Sequence, residues 1–361
     1  MKYYLIAGEA SGDINAAALM SSILKQDPDA EFRYWGGDEM GKIAPGLVKH
    51  YKNTSFMGFV EVFKNLKTII SLFKFCKKDI LNYNPDKVIF IDYPGFNLRM
   101  AKWTKRKGFF NIYFIAPQVW AWKESRVKQI NAYVDQLFVV LPFEKAFFAK
   151  HNIDAHYFGH PLKHRINKFI KDKSTNTKNK NGFIACFPGS RKQEIKSHMH
   201  IINAIAKKMP QQEFKVAAVK SVQSKIYEQK KEPNIKLVYN QNYELLCRAK
   251  SAIISSGTAT LEAALFGVPQ VVIYKGNPIS YQIAKRIINL KYISLVNLLA
   301  DSPVVSELIQ SELTVDRLHE ELSKLNQNDH RASMFNSYSS ISSQLGEGNP
   351  CNKIAELILS V

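Results

Sequence analysis

The chain has 361 residues, enough for two domains of ordinary size that each bury a core, and its hydrophobic fraction of 46% is that of a globular protein. Its 50 basic against 31 acidic residues give a formal net charge of +19, which implies an anionic neighbour: nucleic acid, an anionic membrane surface or a phosphorylated substrate. The 4 cysteines, Cys76, Cys186, Cys247 and Cys351, are scattered without C-x-x-C spacing or a nearby histidine, which excludes a zinc site and indicates reduced thiols in a cytosolic protein; no export signal or membrane-length apolar run is present.

Lys2 to Ala7 reads as a strand feeding Gly8-Glu9-Ala10-Ser11-Gly12-Asp13, after which a helix begins at Ile14. Gly8 and Gly12 allow close backbone approach, and Ser11 or Asp13 can cap the helix. The spacing is not G-x-G-x-x-G and no clear acidic residue ends a second strand, so a nicotinamide cofactor is not expected. Asp27-Pro28-Asp29 reads as a proline turn, not a metal site, before a strand over Phe32 to Trp35.

From Phe56 to Lys78, the residues Phe59, Phe63, Leu66, Ile70 and Phe73 recur at alternating four and three spacings, with Lys64, Lys67, Lys74 and Lys78 on other faces. This predicts an amphipathic, cationic helix. A core-facing helix with solvated lysines accounts for the pattern. The further apolar residues Phe56, Met57, Val60, Ile69, Leu72 and Phe75 widen the face beyond one core contact, as docking on an anionic lipid surface requires. Trp103, among Lys102, Lys105, Arg106 and Lys107, extends the patch.

Val88 to Ile91 is a continuous apolar strand of the kind covered on both faces, and it delivers Asp92-Tyr93-Pro94-Gly95-Phe96-Asn97 at its carboxyl end. Strands follow over Asn111 to Ala116, ending at Pro117-Gln118-Val119-Trp120-Ala121-Trp122, and over Gln136 to Leu141, ending at Pro142-Phe143-Glu144-Lys145. His156 to Phe158 runs into Gly159-His160-Pro161. The polar run Lys171 to Lys180 marks a boundary. It divides a first domain, 1–170, joined by a last helix at 350–361, from a second, 171–349.

The second domain opens with a strand over Gly182 to Phe187 that breaks at Pro188-Gly189-Ser190-Arg191, and continues with strands at Phe214 to Ala218 and Ile235 to Val238. Ala252 to Ile254 then enters Ser255-Ser256-Gly257-Thr258-Ala259-Thr260-Leu261-Glu262, and Gly267-Val268-Pro269 closes the short helix before the strand at Val271. Backbone N–H groups, the helix dipole and the hydroxyls of Ser255, Ser256, Thr258 and Thr260 suit phosphate. Glu262, in the first turn, suits a ribose diol; a merely well-capped helix explains the same residues. The fold class is α/β, two doubly wound Rossmann-like domains facing a central cleft.

Gly8 to Asp13, Phe56 to Val62, Ile91-Asp92-Tyr93-Pro94, Pro117 to Trp122, Leu141-Pro142-Phe143-Glu144, Phe158 to Pro161, Pro188 to Arg191 and Ser256 to Glu262 occur in an order that resembles the bacterial lipid-A-disaccharide synthases. The resemblance covers nearly the whole chain. It implies a GT-B glycosyltransferase that joins UDP-2,3-diacylglucosamine to 2,3-diacylglucosamine 1-phosphate, with inversion, giving a β-1,6 disaccharide and UDP. It also implies a cytoplasmic enzyme, peripheral on the anionic inner membrane, with no cofactor and no metal.

That reaction needs a base for the attacking hydroxyl, and Asp92 is favoured, with Glu9 and Asp13 as rivals; the alternative is a carboxylate that caps a loop or orients the acceptor. Where the family often carries a second aspartate this chain has Gly95, which leaves Asp92 the only acid of that loop. Gly8, Ser11, Gly12, Asp13 and Gln118 are the acceptor-side loop residues. Arg191, beside Gly189 and Ser190, is expected to meet the leaving diphosphate; its alternative is an ion pair with Glu194. Ser256, Gly257, Thr258, Glu262, Asn297 and Glu307, with Gln310 downstream, form the donor side, and ordinary capping is the alternative for Asn297 and Glu307. His160 shapes a turn.

Another GT-B-like UDP-sugar enzyme, a muramyl-pathway transferase or a UDP-sugar 2-epimerase, would share the phosphate loop and Glu262. The aromatic cationic segment and Trp120-Ala121-Trp122 argue against it. A nucleic-acid-binding protein should carry a recognisable motif or interleaved basic and aromatic positions on a sheet, and the sequence has neither.

Overall fold

Strand β1 (Lys2–Ala7) is buried from Tyr3 onward and β4 (Lys87–Ile91) along its whole length, because apolar side chains leave both faces of each strand. Alternate residues enter different cores: Tyr4, Ile6, Val88 and Phe90 join one, and Tyr3, Leu5, Ile89 and Ile91 the other. This two-sided burial is what a parallel sheet covered by helices on both faces demands.

The computed structural model describes residues 1–54, 65–121, 124–173, 181–219, 222, 224–228, 231–277, 281–282, 285–286 and 290–361. The chain forms two compact units, Met1–Pro161 with Gly346–Val361, and Leu162–Leu345. Each has a wholly parallel sheet among the described strands.

In the first unit β2 (Glu31–Gly36), β3 (Leu47–His50), β5 (Phe110–Phe114), β6 (Gln136–Val139) and β7 (Ala155–Tyr157) complete a seven-stranded sheet of order β3-β2-β1-β4-β5-β6-β7. The order reverses between β1 and β4, so the loops after these strands flank the switch point at which such sheets hold ligands.

The last helix, Pro350–Leu359, packs on the helix Ala10–Gln26, with Ile354, Ala355 and Ile358 in one core with Leu19, Met20 and Ile23. Asn349 caps its start by accepting from the Cys351 N–H at 3.1 Å. The buried Lys87 ammonium donates to the Ile358 carbonyl and, at 2.8 Å, to that of Val361, at the negative end of the helix.

In the second unit β8 (Asn181–Phe187), β9 (Phe214–Ala218), β10 (Ile235–Tyr239), β11 (Ala249–Ser255), β12 (Gln270–Tyr274) and β13 (Ser306–Ile309) form a six-stranded sheet of order β10-β9-β8-β11-β12-β13. Its switch point lies between β8 and β11. The loops Pro188 to Arg191 and Ser256 to Thr258 leave from there.

The helix expected from Phe56 to Lys78 is described from Leu66 and runs to Tyr83, with Asn65 at its N-cap. Phe56, Met57, Phe59 and Phe63 lie outside the described residues. Asp79 fixes this helix to the sheet, accepting from Arg33 Nη2 at 2.6 Å, Arg33 Nε at 2.9 Å and the Tyr4 hydroxyl at 2.8 Å. The cysteines Cys76, Cys186, Cys247 and Cys351 are buried and form no disulfide, and the described residues include no cluster that could hold a metal. No described helix is long and apolar enough to cross a membrane.

Candidate active site

After β4 the backbone enters two consecutive left-handed residues, Asp92 at φ 45° and Tyr93 at φ 50°. Non-glycine residues pay for that conformation, and it persists because the surroundings over-determine it. The Asp92 carbonyl accepts from the Tyr113 hydroxyl at 2.6 Å and from Asn97 Nδ2 at 2.8 Å, while Asn97 Nδ2 also reaches the Ile6 and Ile91 carbonyls. The Tyr93 hydroxyl donates to the Thr54 carbonyl at 2.9 Å.

The Asp92 carboxyl is pushed up to about 6, first by burial and then by the charge of Glu9, with the Tyr93 N–H opposing. Glu9 stands at the N-cap of the helix Ala10–Gln26, after β1. Gly8 has to be glycine because a Cβ there would lie 2.3 Å from the Tyr93 ring; Gly12 lets that helix close on β1, its Cβ position being 3.3 Å from Ala7 Cβ. Ser11 is exposed in the first turn.

Asp13 is placed otherwise than expected of an acceptor-side residue or a rival base. Its buried carboxylate accepts from the backbone N–H groups of Gly37 at 2.7 Å, Glu39 at 3.0 Å and Met40 at 3.2 Å, so it pins the turn after β2. With its lone pairs so engaged it is a structural anchor.

Beyond β5, Ile115 is also left-handed at φ 64°, a strained state for a β-branched residue. It turns the chain into Pro117 to Ala121, where Gln118 is exposed and Trp120 donates from Nε1 to Glu144 Oε1 at 3.0 Å. Glu144 also accepts from the N–H groups of Leu141 at 2.9 Å and Val140 at 3.2 Å. Burial pushes its carboxyl up to about 7 against those donors, and the charge of Asp92 adds to the rise. In the sequence Glu144 has no assigned role; its signal is its third position in a helix starting at Pro142, where a glutamate turns back on the N-cap. His160 lies in the turn between Gly159, at φ 110°, and the helix that begins at Pro161.

In the second unit, Gly189 takes φ 110°, and its Cβ position lies 2.8 Å from Glu194 Oε2 and 3.4 Å from Ser255 Oγ. Ser190 is exposed and Arg191 is the N-cap of the helix Lys192–Lys208. The Arg191 side chain is 60% exposed and meets Glu194 at 3.3 Å, so the ion pair weighed as an alternative does form. Pairs so exposed contribute little, and an anion at the helix N-terminus competes with them readily.

Gly257 has φ 147° and open space around its Cβ position, and Thr258 is exposed at the start of the helix Thr258–Leu265. Two of the other hydroxyls expected to face phosphate turn inward: Ser256 Oγ donates to the Ile293 carbonyl and Thr260 Oγ1 to the Gly257 carbonyl, both at 2.8 Å. Glu262 accepts from the Tyr243 hydroxyl at 3.4 Å and lies 3.9 Å from Arg165 Nη2; burial raises its pKa and Arg165 opposes.

Asn297 and Glu307 form an internal clamp where a ligand-facing pair was expected. Glu307 accepts from the Ile293 and Ser294 N–H groups and from Asn297 Nδ2, each at 2.9 Å, and from Ser294 Oγ at 2.7 Å. Buried Asn297 exchanges hydrogen bonds with the Val305 backbone, both at 2.9 Å. The clamp sets the Ile293–Ser294 turn on which Ser256 rests. Gln310, after β13, is left-handed at φ 54°, and its buried Nε2 has no hydrogen-bond partner among the described residues.

The sequence matches the family model described as Lipid-A-disaccharide synthetase over residues 3–361. The lipid-A-disaccharide synthases of Coxiella burnetii (strain CbuG_Q212) and Nitrosococcus oceani are 32% and 33% identical to it, over 98% and 99% of this chain and 96% and 95% of theirs. Among solved structures, the UDP-GlcNAc 2-epimerase from Neisseria meningitidis bound to UDP-GlcNAc matches with a TM-score of 0.61 at 12% identity, covering 100% of both chains. CalG4, the calicheamicin glycosyltransferase, matches with a TM-score of 0.59 at 15% identity, covering 99% of this chain and 97% of its own. At such identities the likeness is one of fold, that of GT-B-like proteins with two parallel-sheet α/β domains. The family match extends through both sheets and every strand-end loop described above, and the chain belongs to the lipid-A-disaccharide synthetase family of glycosyltransferases.

Proposed function

We propose that this enzyme transfers 2,3-diacylglucosamine from its UDP derivative to the 6-hydroxyl of 2,3-diacylglucosamine 1-phosphate, the first unit taking the acceptor and the second the donor. The acceptor oxygen attacks the anomeric carbon from the face opposite UDP. Its proton passes to Asp92, the bond from the anomeric carbon to the diphosphate oxygen breaks, and the product is β-linked. Charge growing on the diphosphate is met by the N–H groups at the start of the helix Lys192–Lys208, by Arg191 and by the backbone around Gly257. Glu262 meets the ribose through the oxygen not turned to Tyr243. Trp120, oriented by Glu144, walls the acceptor side.

The observation that carries this reading is Asp92: a carboxyl raised to about 6, held on a strained strand end beside Glu9. A base so tuned is ionised at neutral pH yet basic enough to accept the proton in the transition state.

Both substrates carry acyl chains, and we assign their entry to an anionic leaflet on the cytoplasmic side of the inner membrane. Leu66 at 45% and Ile70 at 53% exposure, with Lys67, Lys74 and Lys78 exposed beside them, support this. Phe73, one turn further along the same face, stacks on Phe96 with ring centroids 4.3 Å apart and packs against the core, so it is not part of the exposed surface.

The purified protein, given both acylated substrates in mixed micelles, should release UDP and disaccharide in equal amounts. UDP release without disaccharide, or epimerisation of UDP-GlcNAc, would overturn the assignment.

A further inference from the structure

The helix Lys192–Lys208 carries a buried imidazole that the chemistry above leaves unused. His198 is wholly buried, with Nδ1 2.7 Å from the Pro188 carbonyl and Nε2 3.0 Å from the backbone nitrogen of Lys275. A carbonyl can only accept and a backbone N–H can only donate. Nδ1 therefore carries the hydrogen, Nε2 carries the lone pair, and only this neutral tautomer satisfies both partners.

The partners leave the sheet at separate places. Pro188 follows β8 and Lys275 follows β12, and β11 with its Ser255 to Thr258 loop lies between them. His198 thus spans the strand end that carries this loop. The Pro188 loop meets the end of β11 where the Gly189 Cβ position falls 3.4 Å from Ser255 Oγ, and the Ser256 N–H donates to the Ile273 carbonyl of β12 at 3.1 Å, so a shift of Pro188 is transmitted to the neighbouring loop.

We propose that His198 is a positioning residue for donor binding: its neutral imidazole holds the Pro188 to Arg191 loop and the Lys275 segment at the separation that opens the β11 loop to a nucleoside diphosphate. The inference rests on the reading of the second unit as the donor site. Protonation would turn Nε2 from acceptor into donor, facing the Lys275 N–H, and break the tie. Burial holds the pKa below the ordinary histidine value and the Lys275 ammonium adds to this, while the Pro188 hydrogen bond and Glu194 oppose.

Three variants separate the two bonds. In His198→Asn the amide nitrogen takes the place of Nδ1, in His198→Gln the amide takes that of Nε2, and His198→Leu keeps neither. Donor KM and kcat would be measured between about pH 5 and 8, where a diester diphosphate keeps its charge, with UDP affinity by calorimetry and thermal melting alongside. His198→Leu should weaken UDP and raise donor KM by about tenfold at nearly constant kcat, and Asn and Gln should each recover part of the loss. Wild-type donor KM should rise at the acid end of the range, and His198→Asn should remove that rise.

Unchanged UDP affinity and KM in His198→Leu, with only a lower melt, would make His198 a packing residue and overturn the inference. If the Leu variant does not fold, the decision passes to Asn: a donor KM profile identical to wild type overturns it equally. UDP binding that Gly257→Val leaves untouched would remove the donor-site assignment, and this inference with it.

Discussion

Glu9 and Asp92 leave the carboxyl ends of two adjacent parallel strands, and the charge of Glu9 raises the pKa of Asp92. Burial supplies the larger share of the rise.

The first prediction concerns pH and stability together. With Asp92 as the proposed base, kcat should fall on the acid side with an apparent pKa of about 6, and Glu9→Gln should move that limb to lower pH. Because the folded pKa lies above the ordinary 3.8, the folded state holds the proton more tightly and stability declines as pH rises between those values. Asp92→Asn should therefore abolish turnover, retain UDP and be more stable at neutral pH, by up to about 3 kcal/mol. Near-normal kcat in the Asn variant would send the search for the base to Glu9, since Asp13 is engaged by backbone N–H groups.

Arg191 and Glu262 should fail in different ways. Arg191 is exposed at a helix N-terminus, and in its proposed role it supplies charge that matters most as the diphosphate leaves; Arg191→Ala should lower kcat by about 10- to 100-fold. Glu262→Ala should mainly raise donor KM, about tenfold, through the ribose, and leave Tyr243 and Arg165 to repack. Initial-rate kinetics on both decides, and rises in KM alone for both would end the division of roles.

For the helix Leu66–Tyr83 the burial of individual residues sets the test. Leu66→Glu with Ile70→Glu should release the protein from anionic vesicles and leave the melt unchanged, because both side chains are exposed. Phe73→Glu should lower stability by about 2–4 kcal/mol, since it breaks the stack on Phe96. Vesicle sedimentation and thermal melting on both proteins check this, and full vesicle binding by the double mutant would defeat the lipid-facing assignment. Added salt should weaken binding only in part, through the lysines.

Apolar continuity in Val88 to Ile91 and the glycine loops after Ala7, Phe187 and Ser255 made both sheets and their strand-end loops legible in the sequence, because burial and backbone freedom are local properties. Hydrogen-bond partners are not local. Asn297 and Glu307 look like any polar pair after a βα unit until β13, which carries Glu307, joins β12 and brings that carboxylate onto Asn297 and the Ile293 turn. The same holds for Ser256 and Thr260, whose hydroxyls find carbonyls inside the protein. The stripe through Leu66, Ile70 and Phe73 is a true helical periodicity, but period alone does not say which end of a stripe meets the core. His198 carried no signal at all: its two partners, Pro188 and Lys275, are far apart along the chain.

The packing of the helix Pro350–Leu359 on Ala10–Gln26 sets an order on biosynthesis. The second unit is one uninterrupted stretch, Leu162–Leu345, and can close as soon as it has emerged from the ribosome. The first unit, although translated earlier, waits with Leu19, Met20 and Ile23 uncovered and with the Lys87 ammonium lacking its helix-end carbonyls until the final segment arrives. Of the two units, the one whose translation begins earlier is thus completed later.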